Sequence, residues 1–480
     1  MKESRSQEGI TVKKSENFSE WYTQVLQKAE MMDYTDVSGS IVIRPPAYFV
    51  WEKIQEYFNE KIKKLGVQNA YFPLLIPESL LNKEKEHVAG FNPEVAWVTH
   101  AGNTKLSERL AIRPTSETIM YSSFAKWIRS YRDLPLKLNQ WNNVVRWEFK
   151  HPVPFLRTRE FLWQEGHSAF ASDAEATKEV KDILDIYASV FEDLLAVPVL
   201  RGRKSDKEKF AGADYTLSVE TFLPNEKAAQ GATSHALGQN FSQAFEISFL
   251  NEKGKKDFVW QTSWGLSTRS IGIMIATHGD DHGLILPPKV AQTQIVIVPI
   301  IFEKEKKSVL KKALEIKNKL KSFRVHLDDR EWYAPGWKFH EWELKGIPIR
   351  LEIGPKDIQK KQVVLVRRDT GKKETVKLSV LNKKIKSVLE DIQKNLYKKA
   401  RKFLNEHISV AKDINGAKKL IDSGKIAKVN WCDADSCEEE IKAKTNGAKT
   451  LNIPEKEKAK GKCFNCGKPA KVVVYIAKSY

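Results

Sequence analysis

The sequence predicts an α+β protein of several domains. It begins with an antiparallel β-sheet flanked by helices, continues with a small α/β domain and ends with a small α+β domain. Three observations lead to this fold class. The 480 residues are about three times the length of a typical domain. Predicted strands cluster with few helices between them before Pro287, whereas strands and helices alternate after it. All four cysteines lie between Cys432 and Cys466.

The first predicted domain, residues 1–286, contains two long amphipathic helices. Apolar residues at three- and four-residue spacing predict a helix over residues 49–66, which ends at a glycine. The same periodicity predicts a second helix over residues 180–195. The segments predicted as strands are 71–76, 143–149, 161–170, 244–249 and 257–263. Strands grouped in this way are typical of an antiparallel sheet.

The second predicted domain, residues 287–398, begins after the Pro287-Pro288 pair. Predicted strands at 294–301, 323–327, 349–353 and 363–366 combine with helices at 305–320 and 380–396. This alternation is typical of an α/β domain. The remaining residues, 399–480, form the third predicted domain. Lysine and arginine outnumber acidic residues between Leu381 and Asn430, which fits either a solvated helix face or a nucleic-acid contact surface.

The composition indicates a folded basic protein. The net charge of +19, with 41% hydrophobic residues, favours a polyanionic partner, nucleic acid first, bound by a packed scaffold. The longest apolar run, residues 295–302, is far shorter than the roughly 20 residues of a membrane-spanning helix. No apolar segment near the start resembles a secretory signal. We therefore expect a cytoplasmic protein.

The four cysteines predict a zinc site. Cys432 and Cys437 form one closely spaced pair, and Cys463 and Cys466 form another. Two such pairs can close on one tetrahedral Zn²⁺ as four thiolates. They are too few and too clustered to be a disulfide framework for a chain of this length.

Two arginine-rich segments indicate phosphate binding. The chain has neither a G-x-x-x-x-G-K-[ST] loop nor a G-x-G-x-x-G loop after a strand, so side chains would have to bind a nucleotide. Arginine suits this task because its planar fork pairs with phosphate oxygens. One segment runs from Arg146-Trp147-Glu148 to Arg157-Thr158-Arg159-Glu160-Phe161, and the other is Gly265-Leu266-Ser267-Thr268-Arg269. Taken singly, each also fits salt bridges on a sheet surface.

Taken together, these segments resemble a known family. The helix and strand ending at Pro77, the Arg146–Phe161 segment and the Arg269 segment resemble motifs 1, 2 and 3 of the class II aminoacyl-tRNA synthetases. More specific stretches resemble prolyl-tRNA synthetase of the archaeal and eukaryotic type. These stretches are Arg113-Pro114-Thr115-Ser116-Glu117, Phe161-Leu162-Trp163-Gln164-Glu165-Gly166-His167 and His235-Ala236-Leu237-Gly238-Gln239-Asn240-Phe241. The resemblance covers residues 18–480.

The resemblance implies ATP-dependent ligation of L-proline to tRNA(Pro), through a prolyl-adenylate, with release of pyrophosphate and transfer to the 3′-terminal adenosine. Thr115 and Glu117 would accept the two N–H groups of the proline ammonium. Arg146 and Arg269 are the implied catalytic residues, because they would neutralise charge in the transition state. The implied proline-binding residues are Thr115, Glu117, Arg146, Trp163, His167, Phe210, His235 and Ser263, although core packing also fits the aromatic ones.

The resemblance also implies ATP-binding residues. They are Arg146, Glu148, Arg157, Thr158, Phe161, Gln230, Thr233, Ser267 and Arg269. Phe161 would stack on adenine, and Gln230 would contact a Mg²⁺ ion that takes few protein ligands. Ser267 stands where the eukaryotic pattern has threonine. Serine retains the hydroxyl group, so only the fit to the ribose or phosphate would be affected.

Further implications concern partners. The second domain would bind the anticodon through Lys338, Glu343 and Arg350, because unstacked bases expose edges that such side chains reach. The bound zinc would be structural, and the protein would be a homodimer. No editing domain fits between motifs 2 and 3, so editing of alanyl-tRNA would be supplied in trans by another protein.

Two alternatives remain. A sister class II synthetase, for threonine, serine, glycine or histidine, is disfavoured by the segments at 113–117 and 163–167. A synthetase-like RNA-binding protein without catalysis is disfavoured because Thr115, Glu117, Arg146 and Arg269 are all present, and buried charges are costly unless they are used.

Overall fold

The computed structural model describes residues 9–87, 94–148 and 150–480. The helices before residue 287 are α1 (Phe18–Lys28), α2 (Pro45–Lys64), α3 (Glu78–His87), α4 (Glu117–Trp127), α5 (Asp173–Ser189), α6 (Asn240–Ala244) and α7 (Arg269–His278). The strands are β1 (Met32–Tyr34), β2 (Ile41–Ile43), β3 (Gln68–Asn69), β4 (Leu75–Pro77), β5 (Trp97–Ala101), β6 (Thr104–Ile112), β7 (Leu136–Val145), β8 (Glu160–Phe170), β9 (Leu200–Arg203), β10 (Tyr215–Phe222), β11 (Ala228–Gly238), β12 (Ser248–Leu250), β13 (Lys256–Phe258) and β14 (Trp260–Ser267).

A seven-stranded sheet dominates this part of the chain. Its strand order is β3-β7-β8-β14-β11-β10-β9, and its pairs are antiparallel except β3 with β7. The predicted antiparallel sheet with flanking helices is therefore confirmed. Helix α5 packs across β10, β11 and β14 and buries Val180, Ile183 and Tyr187. That packing leaves the other face of these strands open for a site.

The local sequence explains the two long helices. Helix α2 starts at Pro45, which suits the first helical position because proline lacks an N–H. It buries Val50, Ile54, Phe58 and Ile62, the apolar stripe expected at this spacing. The chain leaves α2 through Gly66, at a φ of +83°. The predicted helices at 49–66 and 180–195 thus correspond to α2 and α5, the latter extended by a π-helical turn, Val190–Leu194.

The strand predictions differ from the structure in several places. Residues 244–247 were predicted as a strand, but Ala244 ends α6 and Phe245 N donates to Phe241 O, so strand geometry begins only at Ser248. Residues 71–76 were predicted as a strand, but regular pairing covers only Leu75–Pro77. The segment predicted at 143–149 is a strand only through Val145, where β7 ends, and its last residue lies outside the described residues. The segment predicted at 257–263 spans the end of β13 and the start of β14.

The second part of the chain is a five-stranded sheet with helices. Its strands are β15 (Ile295–Pro299), β16 (Val325–Leu327), β17 (Ile349–Ile353), β18 (Gln362–Arg367) and β19 (Lys373–Lys377), in the order β16-β15-β17-β18-β19. Its helices are α8 (Lys306–Lys319), α9 (Pro335–Leu344), α10 (Pro355–Gln359) and α11 (Leu381–Glu406). Strand β15 is parallel to both of its neighbours, as expected where helices connect successive strands.

The last part of the chain is a four-stranded sheet of order β20-β21-β23-β22. Its elements are β20 (Ile408–Val410), α12 (Ile414–Asp422), β21 (Ile426–Trp431), α13 (Asp435–Lys444), β22 (Lys449–Thr450) and β23 (Val472–Ala477). Helix α11 continues through residue 398 and leads into β20. Across the described ranges, no helix combines the length and apolarity needed to cross a membrane.

Candidate active site

A cavity of about 290 Å³ opens on the face of the seven-stranded sheet opposite α5. Side chains alternate between the two faces of a strand, so residues two apart on β8, β11 and β14 share this face. The register aligns His167 with Ser263, and Ser263 with His235. Predicted site residues that line the cavity are Thr115, Glu117, Arg146, Phe161, Trp163, His167, Phe210, Gln230, Thr233, His235, Ser263, Ser267 and Arg269.

Buried acceptors gather where α4 begins. Thr115 Oγ1 donates to the Glu117 carboxylate, and both residues are buried. His167 Nε2 lies 3.2 Å from Glu165 Oε2, and its Nδ1 lies 3.0 Å from the Tyr121 hydroxyl. Burial disfavours the charged His167 ring, but Glu165 and Glu117 outweigh it and raise the pKa of His167. Burial likewise opposes ionisation of Glu165, but His167 and the hydrogen bonds to Ser116 and Asn142 hold its pKa below the usual value. This end of the cavity is therefore suited to a cationic amine.

Two partly buried guanidinium groups reach the same cavity. Arg146 Nε donates to Pro114 O at 3.0 Å, and its guanidinium carbon lies 5.2 Å from the centre of the Trp163 ring. Arg269 Nε donates to Leu156 O at 2.9 Å. Burial lowers the pKa of Arg146, and burial together with Arg146 lowers that of Arg269 to about 10. Arginine side chains stay protonated in proteins at neutral pH, so the two groups are suited to binding an anion.

A neutral histidine forms another wall. His235 Nδ1 lies 2.9 Å from Thr216 Oγ1, and its Nε2 lies 3.0 Å from Thr233 Oγ1. Burial, with a smaller effect of His167, lowers the pKa of His235 to about 3. The Phe210 ring packs against it with centroids 4.7 Å apart. An uncharged imidazole and an aromatic ring suit the apolar part of a small ligand.

Three predicted ATP-binding residues do not line this cavity. Glu148 and Arg157 are exposed on the connection between β7 and β8, and Thr158 is buried just before β8. The sequence prediction in turn missed Glu165, Glu208 and Lys209, which do line the cavity. The period of two along β8 could have identified Glu165, because it lies between the predicted Trp163 and His167. Glu208 and Lys209 lie in a loop that gives no such signal.

The four cysteines form a compact cluster, named here the thiolate cluster. Their sulfur atoms all lie within 4.8 Å of one another. Cys437 Sγ is 3.7 Å from Cys463 Sγ, and Cys432 Sγ is 3.6 Å from Cys466 Sγ. A tetrahedral ion with Zn–S bonds of about 2.3 Å requires sulfur separations of about 3.8 Å. The cluster therefore fits a tetrahedral metal ion.

A second cavity, of about 230 Å³, opens beside the sheet of residues 295–377 and includes Glu343 and Arg350 in its lining. The Arg350 guanidinium donates to Glu352 Oε1 at 2.9 and 3.0 Å. Lys338 does not line this cavity. It is only 2% exposed, and its Nζ donates to Asp328 O at 3.1 Å. Of the three predicted base-reading residues, the structure brings Glu343 and Arg350 together and buries Lys338 nearby.

Comparisons with known proteins match this architecture. Residues 98–278 match a family model described as the tRNA synthetase class II core domain (G, H, P, S and T). Residues 294–388 match an anticodon binding domain, and residues 414–480 match the C-terminal domain of prolyl-tRNA synthetase.

Individual relatives cover nearly the whole chain. The cytoplasmic proline–tRNA ligase of Arabidopsis thaliana is 49% identical over 98% of this chain and 91% of its own length. The bifunctional glutamate/proline–tRNA ligase of Cricetulus griseus is 51% identical over 98% of this chain, which spans 33% of that relative. A crystal structure of prolyl-tRNA synthetase from Cryptosporidium parvum, complexed with halofuginone and AMPPNP, has a TM-score of 0.95 at 50% identity and covers 99% of this chain and 100% of its own. These matches, with the class II sheet and the site it carries, show that the chain belongs to the prolyl-tRNA synthetase family.

Proposed function

We propose that this chain ligates L-proline to tRNA(Pro) in two ATP-dependent steps. The observation that carries the proposal is the geometry of one cavity, where the buried acceptors Thr115 and Glu117 face the same space as the guanidinium groups of Arg146 and Arg269. An amino acid zwitterion needs acceptors at one end and a cation at the other. A nucleoside triphosphate needs further cations close by to bind its phosphate groups.

Proline binding follows from the charges and shapes of the walls. Thr115 and Glu117 accept the two N–H groups of the secondary ammonium. Trp163, Phe210 and His235 enclose the ring, with Ser263 and His167 completing the pocket. Because His235 is neutral, it adds no charge that would repel the ammonium. His167 is screened from that ammonium by its contact with Glu165.

Activation joins the proline carboxylate to the α-phosphate. A carboxylate oxygen attacks the α-phosphorus, the bond from phosphorus to the bridging oxygen breaks, and pyrophosphate leaves. Arg146 holds the carboxylate next to the α-phosphate, and Arg269 neutralises charge that builds up on the phosphate oxygens. The other proposed ATP contacts are Glu148, Arg157, Thr158, Phe161, Gln230, Thr233 and Ser267. In the second step a hydroxyl of the 3′-terminal adenosine attacks the prolyl carbonyl, and AMP leaves.

The test is proline-dependent exchange of radioactive pyrophosphate into ATP without tRNA, run beside alanine, threonine and serine. Exchange with proline, far above exchange with threonine or serine, is the expected result. No exchange with any amino acid, from folded and metal-loaded protein, would instead support a synthetase-like RNA-binding protein. Exchange with another of these amino acids alone would point to a sister synthetase.

Two metals belong to the proposal. The spacing of the thiolate cluster suits a structural Zn²⁺ at Cys432, Cys437, Cys463 and Cys466. Class II synthetases use Mg²⁺ with ATP, and the Gln230 side chain is the proposed protein contact for that ion. Magnesium bound to phosphates keeps few protein ligands, so an amide oxygen is a sufficient contribution.

The tRNA-binding part of the proposal assigns anticodon recognition to residues 287–398. Glu343 and Arg350 have polar groups in the second cavity, where they can reach the edges of unstacked bases. The buried Lys338 would contribute indirectly, by holding Asp328 in place next to this cavity. We propose domain divisions at 286/287 and 398/399, the second of which falls within α11. The assignment is tested by measuring the aminoacylation of tRNA(Pro) with a substituted anticodon, which should be charged less efficiently than the unchanged tRNA(Pro).

We further propose a homodimer located in the cytoplasm. The exposed apolar side chains Tyr48, Tyr71 and Leu75 lie on the motif 1 helix and the strand region after it, where a second copy could cover them. The cytoplasmic assignment is supported by the name of the Arabidopsis relative. Light scattering at micromolar concentration measures the mass in solution. The mass of a dimer is expected, and the mass of a monomer would contradict the proposal.

Editing is proposed to occur in trans. Between β8 and β14 the chain forms α5, β9, β10, β11, α6, β12 and β13, and β9, β10 and β11 belong to the same seven-stranded sheet. This arrangement supports the absence of an inserted editing domain. Hydrolysis of alanyl-tRNA(Pro) by the purified protein alone would contradict the proposal.

A further inference from the structure

The C-terminal domain contacts a loop that forms part of the proline cavity. This segment, residues 204–214, connects β9 to β10 and is named here the pocket loop. Its residues Glu208, Lys209 and Phe210 line the cavity. Just before it, Arg203 exchanges two backbone hydrogen bonds with Ile453, at 2.9 and 2.8 Å. The edge of the seven-stranded sheet is therefore joined directly to the last part of the chain.

Four residues at the start of the pocket loop bind the C-terminal domain. Lys204 Nζ donates to Leu451 O at 2.9 Å, and Ser205 Oγ donates to Glu438 Oε1 at 2.8 Å. Lys207 pairs with Glu439, and Glu208 lies 3.1 Å from Lys449 Nζ. The last two pairs are partly exposed and contribute little. Ser205 is 1% exposed and Glu438 is 7% exposed, so their hydrogen bond is the main buried side-chain contact with α13.

The Ser205 contact is transmitted along the loop to the cavity. Ser205 O accepts from Lys209 N at 2.9 Å, and Ser205 Oγ accepts from Glu208 N at 3.3 Å. Phe210 N, the next amide, donates to Thr216 Oγ1, which also contacts His235. The position of Ser205 therefore sets the turn that presents the Phe210 ring to His235.

Glu438, the partner of Ser205, lies next to the thiolate cluster. Cys437 lies in the first turn of α13, directly before Glu438, and Cys432 follows β21. Thr450 on β22 also donates to Glu438 Oε1. A metal held by the cluster would fix the start of α13 and so the carboxylate that Ser205 binds.

We propose that the C-terminal domain positions Phe210 for proline binding through the buried contact between Glu438 and Ser205. This inference rests on the proposed function, because it concerns the proline pocket of the same reaction. Ser205 and Glu438 are positioning residues, since neither lines the cavity. The contact links a metal-binding domain to substrate affinity.

The experiment compares Ser205→Ala, Glu438→Ala and the double variant in pyrophosphate exchange by the full-length, metal-loaded chain. Each single substitution is expected to raise KM for proline about fivefold, with kcat and KM for ATP within about twofold, as loss of one buried hydrogen bond implies. Because both act through one contact, the double variant should resemble the singles rather than multiply their effects. Lys442→Ala, at an exposed position on the same helix, is the control and should leave KM unchanged.

A second readout does not depend on catalysis. Hydrogen exchange of the Lys209 and Phe210 amides should be faster in Ser205→Ala than in wild type, and unchanged in Lys442→Ala. Ser205→Ala leaves the C-terminal domain intact, so it remains informative if Glu438→Ala fails to fold. An active wild type whose KM for proline and loop exchange are unaltered by Ser205→Ala would overturn this inference alone. Wild-type protein without proline-dependent exchange would overturn the proposed function instead.

Discussion

Glu165 accepts two hydrogen bonds from Ser116, one from the backbone N at 3.0 Å and one from the side-chain hydroxyl. Ser116 lies between Thr115 and Glu117 and is the residue directly before α4. The carboxylate also accepts from Asn142 Nδ2 at 2.9 Å and lies 3.2 Å from His167 Nε2. One buried side chain on β8 thus fixes both the start of α4 and the histidine next to it.

We expect Glu165→Gln to weaken proline binding selectively. The amide keeps the size of the side chain but loses the charge that holds Ser116 and His167, so Thr115 and Glu117 lose their alignment. Hydrogen bonds to a charged group contribute about 1.5–3 kcal/mol, so loss of the charge should raise KM for proline about tenfold or more. KM for ATP should change by less than about twofold, because the proposed function places the carboxylate at the amine end of the site. Pyrophosphate exchange measures both constants.

A matched control is Glu179→Gln. Glu179 is an equally buried carboxylate, on α5, and accepts from Thr262 Oγ1 at 2.5 Å on the other side of the sheet. We expect this variant to be less stable with an unchanged KM for proline. A similar rise in KM from both variants would show that Glu165 acts only through general stability.

The charge of His167 should make stability depend on pH. Its pKa is raised in the folded state, so its stabilising contribution is fully present below the ordinary value of about 6.5 and is lost as pH rises through the raised pKa. The difference in urea midpoint between wild type and His167→Gln should therefore be largest in mild acid and shrink toward alkaline pH.

His235→Asn provides a comparison of opposite sign. Burial lowers the pKa of His235 to about 3. Below about pH 6.5 this histidine is therefore protonated in the unfolded chain but remains neutral in the folded chain. Wild type should lose stability relative to His235→Asn as pH falls through this range. Parallel pH profiles for the two variants would contradict the assigned charge states.

The resemblance to prolyl-tRNA synthetase predicted most of the sheet-bound site, and strand alternation explains why these residues lie together. Alternation along β8 and β11 requires Phe161, Trp163 and His167, and likewise Thr233 and His235, to share one face. The same rule applied to Glu165 would have placed it in the site, but its role depends on Ser116, which is distant in sequence. Hydrogen bonds between distant segments are not visible in local spacing.

Residues outside regular strands were harder to place. Lysine is a residue type that can read base edges, yet the fold buries the Lys338 ammonium against the carbonyl and carboxylate of Asp328. The pocket loop gives no periodicity, so Glu208 and Lys209 were missed. Residues 244–247 resemble a strand by composition, but Phe241 and Phe245 face the same core through a helical turn. In each case a tertiary contact outweighs local propensity.

The guanidinium of Arg146 should be essential for activation. Arg146→Lys keeps the charge but loses the planar fork that can hold a carboxylate and a phosphate together. We expect kcat for exchange to fall at least about 100-fold, as for loss of a preorganised transition-state contact. Arg159→Lys is the control, because Arg159 donates to Ser38 O at 3.0 Å and does not line the cavity. Comparable losses in both variants would contradict a specific role for Arg146.

The thiolate cluster should bind one zinc ion per chain. Elemental analysis of the purified protein is expected to give about one equivalent, since four thiolates at tetrahedral spacing form a closed structural site. Cys463→Ser should reduce that value and lower the temperature at which the C-terminal domain unfolds. Less than about a tenth of an equivalent, in protein of unchanged thermal stability, would contradict a structural metal.

Gly166 should tolerate no larger side chain. It lies between Glu165 and His167 on β8, and a Cβ built there would be 2.1 Å from Trp264 Cζ2. Trp264 is 1% exposed and packs in the core beneath the site, so its ring has no space to retreat. Gly166→Ala should lower the free energy of unfolding by about 1–3 kcal/mol or more, the usual cost of overpacking. Gly336→Ala, on α9 with no atom within 4 Å of the added Cβ, should be neutral or stabilising because alanine favours a helix. Equal urea midpoints for Gly166→Ala and wild type would show that the Trp264 ring can move, and that the strand between Glu165 and His167 is less constrained than its packing indicates.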